Sequence, residues 1–564
     1  MKKLLFFALF AVAGSAHAST YYVSDCGTGA AAQCVAGNDA NAGTSATEPW
    51  KSCAKVTQRF PTLAAGDQVL FARGSAVPAC QLYYLSNFNS RKDNPITLGA
   101  YTPPWASGIM ANPILLGTTA SYTLGLLNSG ASTHDEGYVV QDLHFVGPGI
   151  SSPAAAIAMS NDVKHVTVQR VEIEQFRSGI QCDGGTGHAL APGSDGLSEH
   201  IIIRDSNIHH NRGMGVLTSC NDTLIENNRF DSNGVGMLDH HIYVDDAAIN
   251  NVALTTRQVV IRGNTLTNNA PYSSVSALTP TPGGCGATAI VVHGLKDGIT
   301  IENNVVSEPT VPGSDRCWGI SVDSGGYGGI YAREGFHNIV IRGNSVINYG
   351  MGIGVDMCDT CTVENNSIYS EFASGATGVV APAKYFQAAI AGHALNNNLT
   401  VRNNSVYLKN PTYASVGIRV SRDGANHVVV SNLVYFGTGT TAATPCFNTA
   451  GLATSAFGSF DYNLCHYAAT QGQWDSTRTT LAAQQASGLD RHSLSVDPSL
   501  PTPVAPLFMV APTSGSAALG AGHPTLSSKL AKGGVRRESS PDIGSAQFGA
   551  TVVVPSSPTD LTVQ

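Results

Sequence analysis

A five-residue motif returns along the middle of the chain, and its last position repeatedly carries a residue that can hold a proton or a cation. The copies read Ala156-Ile-Ala-Met-Ser160, Gly179-Ile-Gln-Cys-Asp183, Gly215-Val-Leu-Thr-Ser219, His241-Ile-Tyr-Val-Asp245 and Ala289-Ile-Val-Val-His293. They continue as Gly319-Ile-Ser-Val-Asp323, Gly352-Ile-Gly-Val-Asp356, Ala389-Ile-Ala-Gly-His393 and Gly417-Ile-Arg-Val-Ser421. The second residue is always Ile or Val, so strand alternation sends it inward and turns the third and fifth residues outward. Stacked as parallel strands, equivalent residues stand ~4.8 Å apart. The fifth position then becomes one line of Ser160, Asp183, Ser219, Asp245, His293, Asp323, Asp356, His393 and Ser421. Gln181, Tyr243, Ser321 and Arg419 lie beside it. In a chain only 12% charged, that gathering of carboxylates and imidazoles points to a site.

Two chemistries fit the line. In β-elimination from a uronic acid, a cation or a protonated group neutralises the sugar carboxylate while a base removes the adjacent proton. His293 or His240 is the candidate base and Tyr243 the acid. Asp245, Asp323 and Asp356 are the candidate ligands of a Ca²⁺ ion, which prefers several oxygens. Asp246, Asp356 and Arg419 are candidate substrate contacts. In hydrolysis, two carboxylates work as a pair. Asp245 and Asp323, two strands apart at about 9.6 Å, fall near the top of the inverting range, and Asp323 and Asp356, one strand apart, near the retaining one. Each residue also has a plainer reading. An outward Asp, such as Asp239 beside the site, can be solvated or cap a turn. Tyr243 can cover apolar surface, and His209, His210 and His393 can sit at strand ends. Two insertions, residues 268–285 and 371–386 with Lys384 and Tyr385, are the alternative location as walls of a groove.

The elements that would position these residues are legible as a second repeat. Leu224-Ile-Glu-Asn-Asn228, Val260-Ile-Arg-Gly-Asn264, Thr300-Ile-Glu-Asn-Asn304, Val340-Ile-Arg-Gly-Asn344, Thr362-Val-Glu-Asn-Asn366 and Thr400-Val-Arg-Asn-Asn404 follow one pattern. Weaker copies end at Ser206 and Asn463. A strand closing on Asn suits a tight left-handed turn, and stacked Asn side chains can hydrogen-bond from coil to coil. The predicted fold is all-β, a right-handed parallel β-helix of one chain with about eleven coils, an N-terminal cap and a C-terminal closing segment. Its expected parts are a signal peptide at 1–18, the cap and first coils at 19–130, Asn-rich coils at 131–466, a closing segment at 467–550 that folds back along the solenoid, and a tail at 551–564. A propeller or a jelly-roll array is the structural alternative.

On these residues the mature chain resembles the secreted β-helix proteins of the pectate-lyase-like superfamily, which includes polysaccharide lyases and alginate epimerases. Tyr21-Tyr-Val-Ser24 through Gly43-Thr-Ser45, Pro49-Trp-Lys51 and Ala65-Gly-Asp-Gln-Val69 are similar to the start of such lyases. Asp461-Tyr-Asn-Leu464, Val496-Asp-Pro498 and Pro541-Asp-Ile-Gly544 are similar to their closing segment. The resemblance implies activity on a polysaccharide, with lyase chemistry on an acidic one first. A hydrolase using an Asp pair comes second, and a non-catalytic glycan-binding or cell-surface protein is the competing class. Asp245-Asp246 and His293-Gly294 resemble the paired-Asp and His-Gly motifs of polygalacturonases, whose other signatures are absent. The Arg-rich signature of pectate lyases and the D-P-H-D motif of alginate epimerases are also missing, although Asp239-His-His-Ile-Tyr243 holds a similar place.

Composition narrows the setting. Lys2 and Lys3, an apolar run from Leu4 to Ala13 and Ala16-His-Ala18 read as a Sec-type signal, so the protein is expected to be secreted or periplasmic, as in a Gram-negative cell. Its twelve Cys all follow that segment, which favours disulfides. Cys26/Cys34, Cys53/Cys80, Cys285/Cys317 and Cys446/Cys465 are near enough in sequence to pair, and Cys358-Asp-Thr-Cys361 reads as a structural bridge. A net charge of −8 without a basic run speaks against a nucleic-acid partner. No later segment is apolar enough for a membrane span. A monomer acting on polysaccharide is the expected form.

Overall fold

Each corner of the repeat is built from a left-handed residue followed by a buried asparagine. Asn227, Asn303, Asn365 and Asn403 have φ of 54°, 55°, 56° and 51°, and Gly263 and Gly343 take the same role at 64° and 68°. Asn and Gly are the residues that visit this region at least cost. The asparagine that follows is wholly enclosed, and it is satisfied along the stack. The backbone N–H and Nδ2 of Asn264 both donate to Oδ1 of Asn304, at 3.0 Å each. Its Nδ2 also donates to the carbonyl of Ile225 at 2.9 Å. The same bonds link Asn228, Asn264, Asn304, Asn344, Asn366, Asn404, Asn432 and Asn463. Asn432, in a Val-Val-Ser-Asn variant of the motif, joins a ladder in which the sequence pattern had not placed it.

In the computed structural model this ladder is one corner of a right-handed parallel β-helix with three long sheets of 14, 13 and 13 strands. The first sheet holds the strands ahead of the Asn corner and the third the strands after it. The second holds the Ile/Val motif. The structure describes residues 18–549 except 121, 128–134, 150–153, 186–195, 237, 250–251, 272–283, 312–316, 324–333, 373–374, 384–395, 413, 439–443, 470–471 and 505–509. The expected signal, the tail and Lys384, Tyr385 and His393 therefore lie outside the described residues. The coils outnumber the expected eleven because parallel pairing already starts at Thr20–Val23 with Gln68–Ala72, before any Asn motif.

The core is one continuous column of inward residues. Ile290, Ile320 and Ile353 and their partners Val292, Val322 and Val355 are all fully buried. Pairing places Ile290 on Ile320 and Ile320 on Ile353, as the alternation requires. The first Gly of the motif lets neighbouring rungs close up. A Cβ on Gly352 would stand 2.9 Å from the carbonyl oxygen of Gly378, and one on Gly378 2.3 Å from that of Gly417.

That packing corrects one expected strand. The rung after Met351–Val355 is Thr377–Ala381, not the segment ending at His393. Ile353 pairs with Val379, and Pro382 follows where an outward His was expected. Gly378-Val-Val-Ala381 carries the close-packing Gly and the inward Val.

The ends are covered as a solenoid requires. A short helix, Cys53–Arg59, is capped by Ser52, whose Oγ accepts the N–H of Lys55 at 3.2 Å. At the other end the chain runs back over the Asn corner. Val510 donates to Ser367 Oγ at 3.0 Å, Ser545 to Ser405 Oγ at 2.8 Å, and Arg537 to Asn365 Oδ1 at 2.9 Å. All twelve cysteines are paired. The five bridges read from spacing are present, and Cys182–Cys220 ties two adjacent rungs of the second sheet. Six disulfides fit an oxidising compartment. Among the described residues, no helix is long and apolar enough to cross a membrane.

Candidate active site

The second sheet brings the fifth-position residues into one column. Thr218 pairs with Val244, Val244 with Val292, and Val292 with Val322, so Ser219, Asp245, His293 and Asp323 follow on successive rungs. The backbone ladder continues through them. Asp245 N–H donates to Thr218 O at 2.8 Å, His293 N–H to Val244 O at 2.9 Å, and Asp323 N–H to Val292 O at 3.2 Å. Asp183 lies on one side of this set and Asp356 on the other.

His293 is the centre of the arrangement. Its Nδ1 lies 2.6 Å from the backbone carbonyl of Asp323 and 3.6 Å from that residue's Oδ1. A carbonyl only accepts, so Nδ1 carries a proton, and in the neutral ring Nε2 is then the acceptor. Tyr243 stands edge-to-face with this ring, centroids 5.5 Å apart, and His240 packs on the tyrosine at 5.4 Å. His240 is held the same way as His293, its Nδ1 donating to Thr288 O at 2.7 Å.

Tyr243 and Asp245 are electrostatic neighbours. Burial, and then the negative charge of Asp245, push the phenol well above the usual tyrosine range. Burial raises the Asp245 carboxyl, and the neighbouring Tyr243 hydroxyl works against that rise. Asp246 donates its N–H to Asp245 Oδ1 at 2.8 Å, and its own side chain is exposed. A hairpin, Ala247–Ile249 with Val252–Leu254, leaves the helix immediately after it.

The other expected site residues are placed differently. Asp323 is 1% exposed and accepts a hydrogen bond from Ser321 Oγ, so it supports His293 from within. Asp356 is fully buried and accepts the N–H of Met357 at 3.0 Å. Arg419 is mostly buried and donates to the carbonyl of Pro382 at 2.7 Å. Asp239 closes a turn, its Oδ2 accepting the N–H groups of Val235 and Gly236 at 2.9 and 2.8 Å. The outward face is thus covered at the Asp323 and Asp356 rungs, and its accessible part runs from Asp183 through Asp246 to His293.

The three carboxylates of the expected calcium site stand apart from one another. Among the described residues, the one group of three candidate ligands converging within 4.8 Å is Cys285, Glu308 and Cys317, of which the cysteines are disulfide-bonded. Asp245, Asp323 and Asp356 do not converge. The His293 rung separates the first from the other two, and Asp323 is engaged by Ser321. As arranged, these carboxylates do not fit a cage of six to eight oxygens.

Two residues absent from the sequence reading complete the site. Lys296 is fully buried, with Nζ 2.5 Å from the Asp245 carbonyl and 3.0 Å from Thr256 Oγ1. Glu334 Oε2 accepts the N–H of Gly294 at 2.8 Å. Gly294 has φ of 87°, and a Cβ there would stand 2.7 Å from Cβ of Asp246, so the residue after His293 has to be Gly. The sequence offers no local sign of either role, because both depend on which loop stands behind the column.

A family model and several known proteins match parts of the chain. Residues 150–319 match the family model described as right handed beta helix region. A lacto-N-biosidase of Bifidobacterium longum subsp. longum is 40% identical over 83 residues, 15% of this chain. The match spans only 5% of that relative's length. Among solved structures, the GH136 lacto-N-biosidase from Eubacterium ramulus superposes at 14% identity and a TM-score of 0.39, over 80% of this chain and 67% of its own. A mannuronic acid specific polysaccharide family 6 lyase from human gut microbiota does so at 11% identity and 0.41, over 79% and 89%. The repeat, the three parallel sheets and the matched central coils lead to one conclusion: the chain is a right-handed parallel β-helix protein.

Proposed function

We propose that the chain is an exported polysaccharide-active enzyme whose site is the Tyr243–Asp245–His293 face, and that it cleaves an acidic polysaccharide by β-elimination. The observation that carries this reading is the His293 imidazole, held as the Nδ1–H tautomer by the Asp323 carbonyl. Its Nε2 is then an acceptor on the accessible part of the column, the requirement for a base that takes the proton beside a sugar carboxylate. Tyr243 is the acid for the leaving oxygen. Its hydroxyl neighbours the Asp245 carboxylate, and after bond cleavage solvent returns a proton to the phenolate while His293 releases to solvent the one it took. No step is assigned to a metal.

A second reading has its own support. A carboxyl raised by burial is also what a glycosidase needs in its general acid, and Asp245 meets that condition. The 83-residue likeness to a lacto-N-biosidase is in keeping with it. Products separate the two. Purified protein is incubated with uronic-acid polysaccharides and with neutral and amino-sugar glycans, and ultraviolet absorbance and reducing ends are followed together. New ends with matching unsaturated-uronyl absorbance support elimination. Reducing ends without absorbance overturn it in favour of hydrolysis, and binding without either product overturns both in favour of a glycan-binding protein.

A further inference from the structure

Lys296 lies in a short strand, Leu295–Asp297, whose alternation is inverted. Leu295 and Asp297 are half-exposed, while the lysine between them is enclosed. Its strand neighbours are Thr256 on one side and Phe336 on the other, and Cys358 follows Phe336. The column is otherwise uncharged, and an apolar side chain at 296 would continue it. Enclosing an ammonium is expensive unless it is compensated. The compensation here comes from the site: the Asp245 carbonyl at 2.5 Å and Thr256 Oγ1 at 3.0 Å. The charged groups facing the ammonium are Asp245 and Asp246, which follow the strand Ile242–Val244, and Glu334, which precedes Gly335–His337. Glu334 also holds the N–H of Gly294, next to His293. One buried cation therefore stands behind both halves of the proposed machinery.

We propose that Lys296 is a positioning residue. Its ammonium fixes the turn that presents Asp245 to Tyr243 and gives Asp245, Asp246 and Glu334 a common counter-charge. The kinetic part of this inference rests on the proposed function; the structural part does not.

Lys296→Met keeps the length and removes the charge and the donors, and Lys296→Arg keeps the charge. Hydrogen exchange is measured on wild type and variants, comparing peptides spanning 243–247 with peptides of the Asn ladder. On whichever glycan the wild type cleaves, kcat and KM are measured separately. Lys296→Met is expected to speed exchange at 243–247 and leave the ladder unchanged. It is also expected to lower kcat about 30-fold with KM within about threefold, as for loss of a hydrogen bond from a charged donor, and Lys296→Arg to recover part of kcat. Unchanged exchange at 243–247 overturns the proposal. So does a wild-type kcat in Lys296→Met, or a loss of stability that speeds ladder exchange equally. Should Lys296→Met fail to fold, Thr256→Val decides: it removes one partner and leaves the charge, and unchanged exchange at 243–247 overturns the proposal. If the wild type cleaves no glycan, the proposed function fails and the exchange comparison alone decides the role of Lys296.

Discussion

Nδ1 of His293 stands 2.6 Å from the backbone carbonyl of Asp323, one rung further along the same column. A side chain that selects the tautomer of its neighbour could be replaced by mutation; a backbone carbonyl cannot. The orientation of this imidazole is therefore a property of the β-helix register, and its consequences can be tested at the side chains around it.

Replacing the base should remove the chemistry and spare the scaffold. His293→Ala is expected to lower kcat/KM by about 10²–10⁴, the usual share of a general base. Thermal unfolding should stay close to wild type, because the ring lies outside the core. A cleavage assay on the active glycan together with calorimetry checks both statements, and near-wild-type turnover would remove His293 from the mechanism.

Tyr243→Phe and Asp245→Asn separate elimination from hydrolysis. If Tyr243 is the acid, Tyr243→Phe costs about 10²-fold or more, and Asp245→Asn costs less because water can reprotonate the phenolate. If Asp245 is a glycosidase acid, the order reverses. A substrate with an activated leaving group then restores Asp245→Asn, since no proton is needed.

Chelation should leave turnover unchanged. The oxygens of Asp245, Asp323 and Asp356 do not converge on one point, so dialysis against EDTA followed by the cleavage assay is expected to give wild-type rates. Loss on chelation with recovery by Ca²⁺ would show that this face rearranges around an ion.

Glu308 gives a stability signature with a definite sign. It is enclosed, accepts the N–H of Asn269 at 2.8 Å and Tyr349 OH at 3.2 Å, and burial raises its carboxyl to about 8. With the folded value above the unfolded one of 4.5, its contribution is complete below about pH 4.5 and is lost as pH rises to about 8. Glu308→Gln keeps the acceptor and cannot ionise. Wild type should lose up to roughly 5 kcal/mol more than the variant between those limits, measured by denaturant unfolding at each pH. Equal slopes would place the Glu308 carboxyl in its ordinary range.

The Asn ladder should behave as a chain of mutually dependent bonds. Asn304→Ala removes the acceptor of the Asn264 backbone N–H and Nδ2 and the side-chain donor to the Ile261 carbonyl, in a closed interior. A cost of about 2–4 kcal/mol is expected. Asn227→Ala, at a left-handed position, should cost about 1 kcal/mol through backbone strain alone. Equilibrium unfolding of the two variants tests the ordering.

The sequence by itself determined the β-helix, the Asn corner and the column from Ser219 to Asp356, because each is a local period repeated until it cannot be mistaken. Side-chain alternation and rung stacking are fixed by the backbone, so residues at equivalent positions must align. It was misled at His393, because the rung paired with Met351–Val355 is Thr377–Ala381. Only the tertiary structure decided which parts of the column meet solvent. Asp323 and Asp356 point outward in the register and are nevertheless covered, and Arg419 is spent on a carbonyl. Alignment at rung spacing likewise leaves the carboxylates of Asp245, Asp323 and Asp356 apart rather than at one point. Lys296 came from a short strand outside both sequence motifs, and Glu334 from the residue before the next such strand. Their roles depend on which loop packs behind a rung, a long-range relation that no local pattern encodes.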